Sequence, residues 1–413
     1  MYRQRGGRYP LRASNTPTSA PTTPRRDYHE GLEATAVKVF SKPSAESFKE
    51  KIKIENLQYL ASYNWVEAAK PTIIVPGSPP EWTDRPLPFM VQRDSGTVFV
   101  DQNGFRVPRA VLLPLFKSVD MVTEETGRPD FDWSSVDFVT DRNGLRKILR
   151  WVNGTADKTF RIDMQLVGKQ TILLNRWEAT TKEPARGSFG FGFENATTEP
   201  APGCERSTGH HRIVTYACPS DMNGLKMVVR FEVDACLPPP REATKLSSAT
   251  TLDDLTATLS GLGLGSRSKA PETTSDASGL DIIHAGSADI AQERIVELTT
   301  RSQRNADTFD WVDAYPQLFL SGTPHHFLGI HVGGKFSTIR KRRLGSPEMQ
   351  RVEERAQPSL KKLRSILQVL HDLVIEHGET GRLSLICVKG ILQVFKRNTT
   401  DSLLPDEFLT RFR

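Results

Sequence analysis

Residues Leu225 to Cys236 read LKMVVRFEVDAC, and this stretch limits what the chain can fold into more than any other. Its residues alternate with the period of a strand. Leu225, Met227, Val229, Phe231 and Val233 fall on one face, and Lys226, Val228, Arg230, Glu232 and Asp234 on the other. The first face needs a core to pack on. The second carries two carboxylates one pleat apart, which repel each other and are costly to bury without a partner. A divalent cation is one answer, because hard cations take carboxylate oxygens. An ordinary solvated face is the other, because antiparallel sheets often keep one side in water.

The rest of the chain supplies strands and helices in mixture. Hairpin signals lie at Phe160–Val167 with Thr171–Glu178, and at Phe327–Val332 with Lys335–Ile339 around Gly333-Gly334. Asp141 to Val152 reads as a helix with Asp141 at its N-cap. Its buried stripe is Leu145, Ile148, Leu149 and Val152, with Arg142, Arg146 and Arg150 on the opposite side. Pro358 to His377 reads as the clearest helix, with Pro358 near its start and Gly378 at its end. Glu293 to Arg301 (ERIVELTTR) alternates again and is the expected neighbour of the first strand. These elements predict an α/β protein, with mixed β-sheets flanked by helices in a single large domain.

Residues 1–35 are expected to form a disordered basic tail and residues 36–413 the folded domain. Residues 238–292, which open on three prolines and turn rich in Ser, Thr, Ala and Gly, read as a disordered insertion in that domain. Six arginines and no acid among residues 1–26 account for the whole net charge of +6. The basic character therefore belongs to the tail, and an anionic ligand must be held by a local cluster. A mitochondrial presequence is a second reading of this acid-free tail, opposed by its prolines. No apolar run has the length of a membrane span and no secretory leader is visible. The four cysteines form no CxxC pair, which argues against a disulfide framework or a thiolate zinc site and fits a reducing compartment. Arg340–Arg343 (RKRR) reads as a nuclear address, a phosphate contact or a solvated loop.

Chemistry-bearing residues recur in a fixed order: Arg142 in TDRNGLRKIL, Glu194 in GFGFE, Glu232 and Asp234 in EVDAC, Glu297 in ELTT, and Gln317 in QLFLSGTPHHFLGIHVGG. In this order and spacing the sequence resembles the decapping exoribonuclease family, enzymes that remove incomplete, methylguanosine or NAD caps from RNA 5′ ends. The resemblance spans roughly residues 36 to the C-terminus. It implies that Glu194, Asp234 and Glu297 are metal-binding carboxylates converging in one ligand shell, with Glu232 reaching metal-bound water and Mg2+ or Mn2+ as the cation. It implies that Arg142 holds RNA phosphate and that Gln317 positions a phosphate or cap. RNA 5′ ends are the implied substrate, with 5′–3′ exoribonuclease activity and a partner 5′–3′ exoribonuclease as further implications, and the nucleus or cytoplasm as the compartment.

One motif departs from the family. The family's pattern has Glu, an apolar residue and Lys where this chain has Glu297, Leu298 and Thr299. Threonine donates a single neutral hydrogen bond where lysine brings a positive charge to the scissile phosphate. Arg301 lies one pleat further on the same face, within reach of the same task or of a surface acid. Thr299 therefore joins Glu232, Asp234 and Glu297 as a catalytic position in question. Two readings stay open: an active metal-dependent phosphohydrolase, and a weakened or inactive relative that binds RNA ends or docks a partner. A DNA nuclease of the same sheet and metal logic is a third.

Overall fold

The computed structural model describes residues 25–45, 50–218, 224–240, 273–275 and 278–413. A twelve-stranded sheet forms its body. In chain order its strands are β1 (Leu32–Phe40), β2 (Glu55–Val66), β3 (Thr72–Gly77), β7 (Phe138–Asp141), β8 (Phe160–Val167), β9 (Thr171–Trp177), β12 (Ser207–Cys218), β13 (Leu225–Val233), β15 (Thr273–Ser275), β16 (Asp281–Gly286), β20 (Arg382–Val388) and β21 (Ile391–Arg397). Across the sheet they run 1-21-20-8-9-7-13-12-2-3-16-15. A seven-stranded sheet holds β4 (Glu81–Trp82), β5 (Phe89–Met90), β11 (Thr198–Glu199), β14 (Ala235–Cys236), β17 (Ile295–Ser302), β18 (His325–Val332) and β19 (Lys335–Arg343). Two short strands, β6 (Thr97–Phe99) and β10 (Lys182–Pro184), pair separately.

The helices are α1 (Gln102–Arg106), α2 (Leu113–Thr126), α3 (Arg142–Asn153), α4 (Gly190–Thr197), α5 (Trp311–Ser321), α6 (Pro347–His377) and α7 (Asp406–Leu409). Helices α3 and α6 cover one face of the large sheet. Leu145, Ile148 and Leu149 meet Leu363, Leu367 and Leu370 over Met227, Val229 and Phe231. Helix α2 and the C-terminal Phe408 and Phe412 cover the other, over Tyr63, Trp65 and Val228. The smaller sheet has a core of its own, rich in aromatics: Trp82, Phe89, Phe193, Phe327 and Phe336.

The central stretch behaves differently from a single strand with one wet side. β13 lies deep in the large sheet, antiparallel to β12 and parallel to β7. Val228 and Arg230, on the face that a solvated strand would turn to water, are fully buried. Helix α2 is the reason, because it closes over that side. The strand also breaks at Asp234. Beyond this residue the chain continues as β14 in the other sheet, where Ala235 pairs with Val296 and Cys236 with Ile295. Strand β17 is thus the neighbour of the continuation and not of β13 itself.

Order begins earlier than residue 36, because β1 starts at Leu32 and pairs with β21. The end of the expected insertion is also folded. β16 pairs in parallel with β3, and Leu280 and Ile282 join the core. The apolar run LDII explains this local departure from the Ser- and Thr-rich composition around it. Much of the remaining insertion and most of the tail lie outside the described residues. Leu280→Ala is expected to cost about 2–5 kcal/mol, the range for emptying a leucine site in a core. A denaturation midpoint equal to that of the parent would show that this segment adds nothing to the fold.

Helix α6 starts at Pro347, so Pro358 lies inside it. Met349, Ala356 and Leu360 pack with Ile52 and Tyr315, and the Gln357 amide both accepts from Ile52 N and donates to Ile52 O. This packing extends the helix past a residue that ordinarily begins one. The RKRR run lies at the end of strand β19, not in a loop, and three of its four cations are paired: Arg340 with Asp307, Lys341 with Asp84 and Arg342 with Glu348. Among the described residues no helix is long and apolar enough to cross a membrane.

Candidate active site

The seam between the two sheets is where the acidic residues meet. Glu232 ends the long strand β13, Asp234 occupies the break, and Glu297 comes from β17 on the other side. Asp234 Oδ2 accepts a hydrogen bond from the Leu298 backbone N–H at 2.7 Å, which ties the break directly to β17. Glu194 arrives from α4. The GFGFE part of the GSFGFGFE stretch, from Gly190, is therefore a helix and not a loop shaped for close approach of a ligand. Asp94 holds its N-terminal end by accepting from the Gly192 N–H at 2.9 Å and the Phe191 N–H at 3.3 Å. Gly192 is needed for packing, since a Cβ there would lie 2.3 Å from Val91 Cγ1.

Burial and mutual repulsion raise the pKa of three of these acids. Glu194 is pushed up to about 8 by burial, then by Glu232 and Glu297. Asp234 is raised well above the carboxylate range by burial, then by Glu297 and Glu194. Glu232 is raised by burial, although Arg142 and Arg176 pull it back. Glu232 is nonetheless exposed, and it lines both cavities described below.

Arg142, the first residue of α3, is the cation nearest this cluster. Its Nη1 donates to Glu297 Oε2 at 3.1 Å and to Ser321 Oγ at 3.2 Å, and its Nη2 donates to Glu232 O at 3.4 Å. Gln317 Nε2 donates to the other Glu297 oxygen. Both oxygens of Glu297 are thus engaged by protein. Asp141, expected to cap α3, makes no side-chain cap bond, because Arg230 forks it at 2.7 and 2.9 Å.

A cavity of about 270 Å³ collects Arg142, Glu232, Asp234, Glu297 and Gln317. It adjoins a wider one of about 690 Å³, and both are walled by His211, Arg176 and Glu232. Phe99 and Phe191 line the wider cavity. Thr299 and Arg301 line neither. Thr299 Oγ1 is 3.2 Å from His326 Nε2, and the imidazole is held between Phe309 and Trp311. Arg301 is exposed, with its guanidinium over Phe309 and bonded to Thr300 O.

The donor set, all carboxylates, suits a hard divalent cation, and a cation would offset the burial and the repulsion that raise Glu194 and Asp234. Among the described residues, however, no group of three or more His, Cys, Asp or Glu side chains is drawn tightly enough to hold a metal ion. The protein contacts of Glu297 and Asp234 supply a physical reason for the open arrangement.

Several wall residues had a sequence signal that only the topology makes readable. Arg146 is one helical turn from Arg142 on the same face. His211 lies directly across β12–β13 from Glu232. Its ring stacks on Tyr63 at 5.0 Å, and burial holds it neutral. Arg230 shares the polar strand face of Glu232 and Asp234, whereas Arg176 gives no such signal, since its strand reads as ordinary core.

Comparison with known proteins adds the family and the fold. No curated protein matches the chain in sequence. Crystal structures of Rai1 from three yeasts superpose on it. S. pombe Rai1 does so with a TM-score of 0.51 at 12% identity, covering 86% of this chain and 99% of that one. Candida albicans Rai1, in complex with pU5-Mn2+, gives 0.53 at 14%, covering 92% and 99%. Scheffersomyces stipitis Rai1 gives 0.54 at 11%, again covering 92% and 99%. At such identities the likeness is one of fold, and the fold is that of Rai1. A family model described as "Domain of unknown function (DUF8563)" matches residues 36–412, and the chain belongs to that family.

Proposed function

We propose that the chain is a hydrolase of RNA 5′ ends, a metal-dependent phosphohydrolase that removes incomplete, methylguanosine or NAD caps. The observation that carries this reading is the gathering of Glu194, Glu232, Asp234 and Glu297 at the seam, with Arg142 and Gln317 beside them. A pure structural site has little reason to gather four acids, three of which burial and their acidic neighbours raise. Support also comes from fold relatives: Candida albicans Rai1 was crystallised with pU5 and Mn2+, and Scheffersomyces stipitis Rai1 with (3′-NADP)+ and calcium.

In this reading the four carboxylates hold Mg2+ or Mn2+. When bound, the cation supplies an acidified water and offsets charge on phosphate oxygens. Arg142 faces the phosphate, having released part of its hold on Glu297, and Gln317 donates a hydrogen bond to a phosphate or cap oxygen. His211, kept neutral by burial, walls the site without adding charge. Docking to a 5′–3′ exoribonuclease, 5′–3′ exonuclease activity and residence in the nucleus or cytoplasm belong to the same proposal.

The test is incubation of the purified protein with 5′-triphosphate, methylguanosine-capped and NAD-capped RNA, with manganese or with EDTA. Cleavage of at least one end with manganese and none with EDTA is expected. A second reading, an RNA 5′-end binder or docking protein with weakened hydrolysis, is favoured by the double engagement of Glu297 and by the turn of Thr299 toward His326. Binding without cleavage of any end would select it.

The raised acids also predict a pH dependence. A carboxyl whose folded pKa lies above its unfolded value binds more protons in the folded state, so stability falls as pH rises between the two. For Glu194 this window runs from the ordinary glutamate value to about 8. In EDTA the thermal midpoint should therefore decline across this range, and manganese should flatten the decline. Glu194→Gln should flatten it without manganese. A parent slope that persists unchanged in Glu194→Gln would mean that other groups cause it.

A further inference from the structure

Four guanidinium groups line the smaller cavity, those of Arg142, Arg146, Arg176 and Arg230. Three are tied on two or more sides. Arg142 holds Glu297, Ser321 and the Glu232 carbonyl. Arg176 donates to Glu178 Oε1 at 2.7 Å and to Val100 O at 2.5 Å. Arg230 forks Asp141 and also donates to Tyr63 Oη and Val111 O.

Arg146 differs. It makes one ion pair, from Nη2 to Asp313 Oδ2 at 2.9 Å. Its Nε is buried and has no hydrogen-bond partner. Asp313 does not depend on it either. Arg150 grips the same carboxylate with Nε on Oδ1 at 2.7 Å and Nη2 on Oδ2 at 2.8 Å, the planar fork that arginine makes best. Asp313 thus remains neutralised if Arg146 leaves it. Burial, with Arg150 and Arg142 close by, lowers Arg146 to about 10, which Asp313 only partly offsets. The group is still charged at neutral pH and under-supplied with counter-charge. Asp313 lies one helical turn before Gln317 on α5, so the resting pair borders the site itself.

We propose that Arg146 is a parked anion-binding residue: it rests on Asp313 and transfers to a phosphate or pyrophosphate oxygen of a ligand entering the cavity, while Arg150 retains Asp313. The proposal deepens the reading above by naming the residue that recognises the 5′-terminal phosphates, and it rests on that reading for the RNA. The exchange needs no proton transfer and no bond chemistry, only a change of hydrogen-bond acceptor. It explains why one carboxylate is shared by two arginines, an arrangement that a purely structural pair would not need.

The experiment measures binding by the full chain in magnesium buffer, with inorganic pyrophosphate, 5′-phosphorylated pentauridylate and 5′-hydroxyl pentauridylate as probes. Arg146→Gln should weaken pyrophosphate and 5′-phosphorylated RNA by about 10–100-fold, the span of a hydrogen bond to a charged group. It should leave the 5′-hydroxyl RNA nearly unchanged. Arg146→Lys should recover part of the loss, since it restores the charge without the planar fork. Asp313→Asn, which frees Arg146 from its resting place, should tighten phosphate binding several-fold. This opposite sign keeps the test decisive if Arg146→Gln folds poorly. Binding of 5′-phosphorylated RNA within twofold of the parent by Arg146→Gln, or no tightening in Asp313→Asn, overturns the proposal and leaves the RNA reading standing. Loss of pyrophosphate binding in Arg146→Gln, in a protein that ignores every RNA end, upholds the anion role and removes RNA as the ligand. A parent that binds none of the three probes defeats both.

Discussion

Asp234→Asn is expected to make the metal-free protein at least as stable as the parent while lowering cleavage of 5′-modified RNA by about 10²–10³-fold, the order of loss for one pre-organised electrostatic group. The two effects have one cause. Asp234 is half-buried with Glu297 and Glu194 close by, and desolvation and repulsion together raise its pKa well above the carboxylate range. An amide removes that repulsion. It also retains an oxygen for the Leu298 N–H, so the hydrogen bond that closes the seam is kept. What is lost is a charged oxygen for a hard cation. A gain in stability with a loss of turnover is the sign expected of a functional charge. The measurement pairs a thermal midpoint in EDTA with a manganese-dependent cleavage assay. A variant that cleaves like the parent would remove Asp234 from the chemistry, and a midpoint that falls steeply would make it a structural residue.

Arg230→Met carries the largest expected cost to the fold, about 3–5 kcal/mol, because it leaves Asp141 charged and buried without its partner. Arg230 is fully buried, and its four hydrogen bonds join β13 to Asp141, Tyr63 and Val111. The double variant Arg230→Met with Asp141→Asn should regain much of that loss, since a neutral pair no longer carries an uncompensated charge. Urea denaturation of the parent, both single variants and the double variant closes the cycle. Additive costs would mean that the two side chains are not coupled across the strands.

Much of the architecture is legible in residue order. The mixed α/β class, the hairpins of β8 with β9 and β18 with β19, and the buried stripes of α3 and α6 follow from period and turn chemistry. What could not be read has specific physical causes. The alternation of LKMVVRFEVDAC looks like a half-wet strand, yet α2, far away in sequence, buries its second side. Nothing local marks Asp234 as the place where the chain changes sheets, because the apolar alternation runs straight through it. GSFGFGFE has the glycine content of a loop, and its second part becomes a helix from Gly190 because Asp94, nearly a hundred residues earlier, binds the first amides there. Gln317, Arg142, Glu232, Asp234 and Glu297 line one cavity, with Glu194 outside its lining but near enough to raise Asp234, whereas Thr299 and Arg301, on the parity of Glu297, turn toward His326 and Phe309 instead. Strand parity assigns a face, and the neighbouring layer decides what that face meets.

The break at Asp234 has a consequence for how distant changes reach the chemistry. Glu232 belongs to one sheet, Glu297 and the helix bearing Glu194 to the other, and Asp234 is the joint between them. The spacing of the acids is therefore set by the dihedral angle between two stiff plates, as the gap of a caliper is set by its pivot. A substitution in either aromatic or aliphatic core that tilts one plate would alter the grip on a small, hard ion without touching a single ligand. A bound ion would in turn act as a clamp on the pivot, and slow hydrogen exchange in Ala235, Cys236 and Leu298 would be its mechanical signature.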